Sequence, residues 1–280
     1  MTNHCYHGIS QLLTMDGAAH HPDANVALGV INDAALLVNA DGRVAWVGPR
    51  SEMPEAESST DLGGVLALPG FVDAHTHVVF AGDRTGDFVA RCAGETYQQI
   101  AARGGGIRLT VNATRAASLD ELIALALPRL QELLAHGVTT IEVKSGYGLN
   151  VADELRMLEA IARLQEMGPW RLIPTLLAAH IVPDEFRDDR ASYIQLVNNE
   201  LLPEVARRGL ARHVDVFCDT GAFTLDETLS ILGRARSLGF GLKVHAEQLS
   251  HTGASGAAAA LGAVSADHLE HISPQGIAAM

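Results

Sequence analysis

His75 and His77 stand two residues apart at the end of the run Leu66-Ala67-Leu68-Pro69-Gly70-Phe71-Val72-Asp73-Ala74. Alternate residues of a strand share a face, so both rings can point at one ion. Neutral imidazole is a good ligand for zinc or iron. A lone His-x-His is common, and the same rings could simply cap a strand end with hydrogen bonds. Their place at the carboxyl end of a buried strand, after Pro-Gly-Phe-Val-Asp, favours a metal.

Other polar residues follow the same rule. The apolar strand Val138–Lys144 runs into Tyr147, Arg171–Ala179 into His180, and Val214–Cys218 into Asp219. Leu242–Ala246 contains His245, and Val264–Asp267 is followed by His268. All of them lie at or just past the carboxyl ends of short strands. That rim is where a (β/α)8 barrel builds its active site, whereas an open doubly wound sheet would not gather six strand ends around one point.

The intervening segments must then be helices that carry the chain back over parallel strands. A helix from about Leu119 to Ala135 opens on Ser118 and Glu121, a capping box, although Pro128 should kink or divide it. Ala152–Met167 places Leu155, Leu158, Ile161 and Leu164 on one face and stops at Gly168-Pro169. Further helices are expected near Asp189–Arg208, from a Thr224/Glu227 cap to Leu238, and from Gly253 to Leu261. Ser273-Pro274 supplies an N-cap and first-turn pair for one more.

Residues 1–64 read differently. Two strands meet at Asp41-Gly42, a strong hairpin signal, before a polar loop from Pro49 to Thr60. The expectation is a small N-terminal β-sandwich element (1–64) and a barrel (65–280) whose first strand is Val65–Val72. Arg103-Gly104-Gly105-Gly106-Ile107-Arg108 lacks the strand-then-G-x-G-x-x-G arrangement of a nucleotide loop and reads as a flexible loop near the cleft.

Composition narrows the partners. The 280 residues carry a formal net charge of −13 with only 20 Lys+Arg, so neither nucleic acid nor an anionic membrane surface is an expected partner. Three cysteines, Cys5, Cys92 and Cys218, show no C-x-x-C spacing and suit a reducing compartment. No run approaches a membrane span and no signal peptide is visible, so the expected location is cytoplasmic.

The chain resembles the amidohydrolase superfamily and, within it, the imidazolonepropionase family of histidine degradation. The resemblance covers nearly the whole chain. It is carried by Leu68–His77, Phe80-Ala81-Gly82-Asp83-Arg84, Ile141–Leu149, Thr175–His180 and Lys243-Val244-His245-Ala246-Glu247-Gln248. The first piece is shared across the superfamily, and the others together point to the one family. The resemblance implies a TIM-type barrel and hydrolysis of 4-imidazolone-5-propanoate to N-formimidoyl-L-glutamate. It implies one Zn2+ or Fe3+ per chain on His75, His77 and His245, with Arg84, Tyr147, His180 and Gln248 around the substrate. His268 and Gln248 would be the catalytic side chains. Some relatives carry glutamate at the Gln248 position, and an amide cannot act as a general base.

The residues themselves leave alternatives open. Arg84 could be a surface arginine in a loop that also holds Asp83 and Asp87, although a guanidinium matches a carboxylate bidentately. Tyr147, between two glycines, could be a packing anchor, His180 a loop hydrogen-bonder, and His245 a satisfied core histidine. His4, His7, His20, His21, His136, His213, His251 and His271 read as solvated or local. A heterocycle deaminase is the alternative within the superfamily, and an inactive barrel serving as a binding scaffold is the alternative outside enzymology. A homodimer is left open. Only about 215 residues follow the hairpin region, against the ~250 of a full barrel, so the expectation is an incomplete (β/α)8 barrel of about six strands. The family's last metal ligand, an aspartate on strand eight, would be missing, and activity of the chain by itself is doubtful.

Overall fold

Pro69 and Gly70 decide where the barrel begins. Proline has no N–H for a ladder and glycine weakens strands, so the apolar run expected as one strand over Val65–Val72 is split in two. The structure, a computed structural model, describes residues 3–18, 20–96, 99 and 104–280. Its strands are β1 (His4–Leu13), β2 (Val30–Val38), β3 (Val44–Pro49), β4 (Ser58–Ala67) and β5 (Phe71–Thr76), then β6 (Val138–Lys144), β7 (Arg171–Ala179), β8 (His213–Cys218), β9 (Gly241–Ala246) and β10 (Ser265–His268). The apolar residues before Pro69 end β4, and those after Gly70 open β5.

The chain divides into two compact units, Met1–Gly70 and Phe71–Met280. The first is a four-stranded sheet in the order β3-β2-β1-β4. β2 and β3 are the antiparallel hairpin expected around Asp41-Gly42, while β1 pairs antiparallel with β2 and parallel with β4. The polar stretch expected as loop to Thr60 is shorter, because Ser58, Ser59 and Thr60 already pair with β1. Hydrogen bonds between the two His4 ring nitrogens and the Ser58 and Thr60 hydroxyls hold that edge. The small core of this unit gathers around Ile9, Leu12 and Ala34.

The second unit is a six-stranded sheet in the order β10-β9-β8-β7-β6-β5, every pair parallel. The sheet curls into a nearly closed barrel, so that residues of its two edge strands meet: His75 Nδ1 lies 3.3 Å from Asp267 Oδ2. Helices form the outer layer, and their apolar stripes make one continuous core with the strands. Leu122, Ala126 and Leu130 pack with Leu158, Ile161 and Leu164, and further round with Ile231, Leu232 and Ala235.

Local signals explain most helix limits. Ser118 and Thr224 both form reciprocal capping boxes, with Glu121 and Glu227. Ser273 accepts from the Gly276 N–H. Pro128, expected to kink or divide its helix, leaves Leu119–Ala135 as one element. The carbonyl it frees belongs to Ala124, which is exposed, and water can satisfy it. The helix near residues 190–208 is less regular: Arg190–Leu196 passes through a π turn at Val197–Leu201 before Leu202–Arg208. Pro203 lies just beyond this turn and cannot donate to the carbonyl four residues back, so the ladder shifts register there.

Candidate metal and substrate site

The inward faces of β6, β8, β9 and β10 carry ionisable residues, at period two in β6 and β9. Glu142 and Lys144, Asp215 and Phe217, and Lys243 and His245 are i, i+2 pairs within apolar strands. The strands' shared register puts Lys243 beside Asp215, and His245 between Phe217 and Asp267.

Above this layer the histidines converge. One ligand atom from each of His75, His77 and His245 lies within 4.8 Å of the others. The rings of His75 and His245 have centroids 4.5 Å apart, and His77 stacks on His180 at 5.3 Å with 14° between planes. Tyr147 is 5.5 Å from both His77 and His180, and His268 is 5.4 Å from His75 and 5.1 Å from His245. Six residues from five strand ends thus share one rim, which is the gathering expected of a barrel.

Backbone devices hold these side chains. Gly146 adopts φ +104°, and a Cβ there would come within 2.8 Å of the Leu177 carbonyl and 3.0 Å of the His180 ring. The Gly146 carbonyl lies 3.0 Å from His180 Nδ1. The loop carrying Tyr147 is tied down from within: buried Glu154 accepts from the N–H groups of Gly146, Gly148 and Leu149 at 3.2, 2.8 and 2.9 Å. Burial raises the Glu154 pKa against those donors. Glu247 just past β9, His268 at the end of β10 and Leu269 just past it all take positive φ values (56°, 76° and 74°). Such conformations are costly for non-glycine residues and collect at functional sites.

Arg84 and Gln248 stand apart from the ring cluster. Both line a cavity of about 650 Å3 with Phe217, Thr220 and Leu249. Arg84 Nε contacts Asp87 Oδ2 at 3.0 Å, and Asp87 also accepts from the Gly106 N–H. Arg84 further lines a second cavity with Tyr147 and Phe80, which links the two groups of residues. Gly104–Gly106 lead into the helix Ile107–Ala116, while Arg103 lies outside the described residues. Of the histidines read as local, His251 pairs with Glu247 at 2.8 Å and His136 contacts the Glu132 carbonyl.

Burial and neighbouring rings disfavour protonation of His77, His180 and His268. Burial, and then His180, His245 and His75, push His77 well below the ordinary histidine range. Burial, with His245 as neighbour, lowers His180 to about 3. Burial also lowers His268, helped by His245 and His75. Neutral imidazole is the metal-binding form. His77 Nδ1 and both ring nitrogens of His245 are buried without a hydrogen-bond partner among the described residues, as ligand atoms of an ion would be. This donor set of three imidazoles fits one transition metal.

A pH prediction follows for the metal-free protein. The pKa of His180 is lower folded than unfolded, so only the unfolded chain binds that proton as pH falls below the ~6.5 of free histidine. Stability is therefore full above ~6.5 and declines towards pH 3. Replacing His180 by Gln should flatten the dependence by about 1.4 kcal/mol per pH unit between pH 6 and 4. Identical slopes in thermal melts of the two proteins would show that His180 titrates freely.

Sequence reasoning missed the charged layer beneath the rings. Lys144 Nζ is 2.7 Å from Asp215 Oδ2, 3.0 Å from Glu142 Oε2 and 3.2 Å from Asp267 Oδ2. Lys243 Nζ lies 2.8 Å from Glu142 Oε2, and Thr175 donates to Glu142 Oε1 at 2.6 Å. Burial opposes charge on Lys144, yet Asp215 and Glu142 raise its pKa overall. Burial likewise opposes charge on Asp215, but His245 and Lys144 hold it far below the carboxylate range. Asp267 is held at about 2: burial opposes its charge, but the hydrogen bond to His75 and the charge of Lys144 prevail. The alternation of charged residues inside apolar strands was the available signal.

Comparison with known proteins places this arrangement. The chain is 50% identical over 276 residues to an imidazolonepropionase of Myxococcus xanthus, covering 97% of the chain and 65% of that protein. It is 48% identical over 280 residues to an imidazolonepropionase of Deinococcus radiodurans, covering 100% of the chain and 68% of that protein. The chain therefore spans about 65% of the length of the curated relatives it matches. No family model matches it. Among solved structures, an A. niger ochratoxinase superposes with TM-score 0.61 at 16% identity, over 99% of this chain and 62% of that one. A 5-methylcytosine deaminase from Klebsiella pneumoniae superposes with TM-score 0.59 at 15% identity, over 92% of this chain and 56% of that one. These structural likenesses show the fold: a TIM-type barrel of parallel strands with a separate small sheet. Among the described residues, no helix is long and apolar enough to cross a membrane.

Proposed function

The chain belongs to the imidazolonepropionase family, and from that premise we propose that it hydrolyses 4-imidazolone-5-propanoate to N-formimidoyl-L-glutamate in histidine degradation. The observation that supports this reading most directly is the meeting of His75, His77 and His245 at one rim, beside a cavity lined by Arg84 and Gln248. His75, His77 and His245 would hold one Zn2+ or Fe3+ per chain; zinc accompanies a related barrel, an atrazine chlorohydrolase from Arthrobacter aurescens complexed with zinc. A bound metal supplies Lewis acidity and makes water a usable nucleophile near neutral pH.

The chain's own residues do the rest. In the reaction, a water oxygen bonds to the ring carbonyl carbon, the cyclic C–N bond breaks, and the ring nitrogen takes up a proton. Arg84 binds the propionate; its Nε is committed to Asp87, leaving the terminal nitrogens for the substrate. In a chain of net charge −13, such a local cation is what draws an anionic substrate to this cavity. Tyr147 and His180 form the wall that faces the ring. His268, whose lowered pKa leaves it neutral, can accept and return a proton. Gln248 can donate and accept hydrogen bonds to a cyclic amide but holds no titratable proton, so it orients the ring.

The test is direct. Protein loaded with Zn2+ or Fe2+/Fe3+ is incubated with imidazolone propionate, and formimidoylglutamate is followed by mass spectrometry. Product formation that depends on the metal is expected. Ammonia release from a heterocyclic amidine, with the imidazolone untouched, would overturn the reading in favour of a deaminase.

A further inference from the structure

Five acidic and basic side chains, Glu142, Lys144, Asp215, Lys243 and Asp267, lie directly beneath the histidine cluster. Replacing buried ion pairs by apolar residues of similar volume is often neutral or stabilising, so stability alone gives this layer little reason to exist. Its geometry suggests another. His245 Nδ1 is 3.0 Å from Asp215 Oδ2, and the His245 backbone N–H donates to Asp215 Oδ1 at 3.1 Å. His75 Nδ1 is 3.3 Å from Asp267 Oδ2. Each of these two ring nitrogens thus faces its own carboxylate, and both carboxylates converge on the same ammonium, Lys144 Nζ, at 2.7 and 3.2 Å. The Lys144 side chain is 0% exposed.

We infer that Lys144 is a positioning residue for two metal ligands: through Asp215 it orients His245, and through Asp267 it orients His75. A ligating histidine commonly gives its second ring nitrogen to a carboxylate, which fixes the tautomer and turns the other nitrogen to the ion. Here one cation holds both carboxylates. Lys144 reaches Asp215 on β8 and Asp267 on β10 from β6, so three strands are locked at a common height. The signs also agree. The carboxylates of Glu142, Asp215 and Asp267 stand against the ammonium groups of Lys144 and Lys243, leaving a net negative charge below the rings that favours a cation above.

A second possible ligand set exists, since atoms of Asp215, His245 and Asp267 also lie within 4.8 Å of one another. The Lys144 ammonium already occupies that side of the carboxylates, and its positive charge repels a metal there. The ion therefore belongs on the imidazole side.

This inference rests on the metal-site reading above and is tested by metal affinity, independent of turnover. Zn2+ is titrated against a chromophoric chelator with the parent chain, Lys144→Met and Asp267→Asn, and Co2+ spectra report the ligand field. Lys144→Met should weaken Zn2+ binding about 10–100-fold, the range typical of outer-shell changes, and alter the Co2+ spectrum. Asp267→Asn, at a partly exposed position, should weaken it about 10-fold and decides the matter if Lys144→Met fails to fold. Unchanged affinity in the folded variants overturns the inference. Tighter binding by Lys144→Met overturns it too, placing the ion among the carboxylates. No Zn2+ binding by the parent chain would overturn the metal reading itself, and the inference with it.

Discussion

Replacing His77 by Ala should abolish stoichiometric metal retention, whereas the parent protein should hold close to one transition metal per chain by elemental analysis after dialysis. Of the three proposed ligands, His77 is the one whose Nδ1 is buried with neither a carboxylate nor any other hydrogen-bond partner among the described residues. Its neutral state is enforced by burial and by the neighbouring rings, so it binds without first giving up a proton. Removing it leaves two imidazoles where an ion needs at least three protein donors. The loss should exceed the roughly 10–100-fold typical of outer-shell changes. The folded state should survive, because His77 lies just past β5 and outside the apolar core. Unchanged occupancy in His77→Ala would remove the metal from this rim.

The second large effect concerns Arg84. Truncating one partner of a desolvated charge pair costs ~2–5 kcal/mol, so Arg84→Ala should lower kcat/KM for the propionate substrate by about 30-fold at the least. Arg84→Lys keeps the charge but loses the planar fork, and it should fall between the parent and Arg84→Ala. An analogue lacking the carboxylate should be processed nearly equally by all three. Asp87 sharpens the expectation. By holding Nε at 3.0 Å it fixes the guanidinium at the cavity wall before any ligand arrives. Equal losses on substrate and analogue would show that Arg84 acts through the fold.

The local elements were legible because their causes are local. Capping boxes at Ser118 and Thr224, the Asp41-Gly42 hairpin, and the strands Val138–Lys144 and Arg171–Ala179 need only neighbouring residues to form. The elements whose limits differ from the expectation, an undivided helix through Pro128 and a divided Val65–Val72 run, depended on context. Whether Pro128 breaks a helix turns on whether the carbonyl it frees meets water, and Ala124 is exposed. Whether Val65–Val72 is one strand turns on which sheet claims each half, and β1 claims the first.

The site divides along the same line. His75 and His77 share a direction because strands alternate, so their pairing was written in a spacing of two. His245, His180, Tyr147 and His268 were marked by their positions at strand ends, and Arg84 and Gln248 by family resemblance. By itself the sequence determined the element types, the rim residues and the family, all carried by periodicity, local hydrogen bonds and motif identity. Only the tertiary structure decided that Lys144, Asp215 and Asp267 form one buried layer beneath the histidines. Those contacts join residues 71 and 123 positions apart. They exist only once parallel strands lie in register and the sheet curls, which brings side chains from separate strands to a common height.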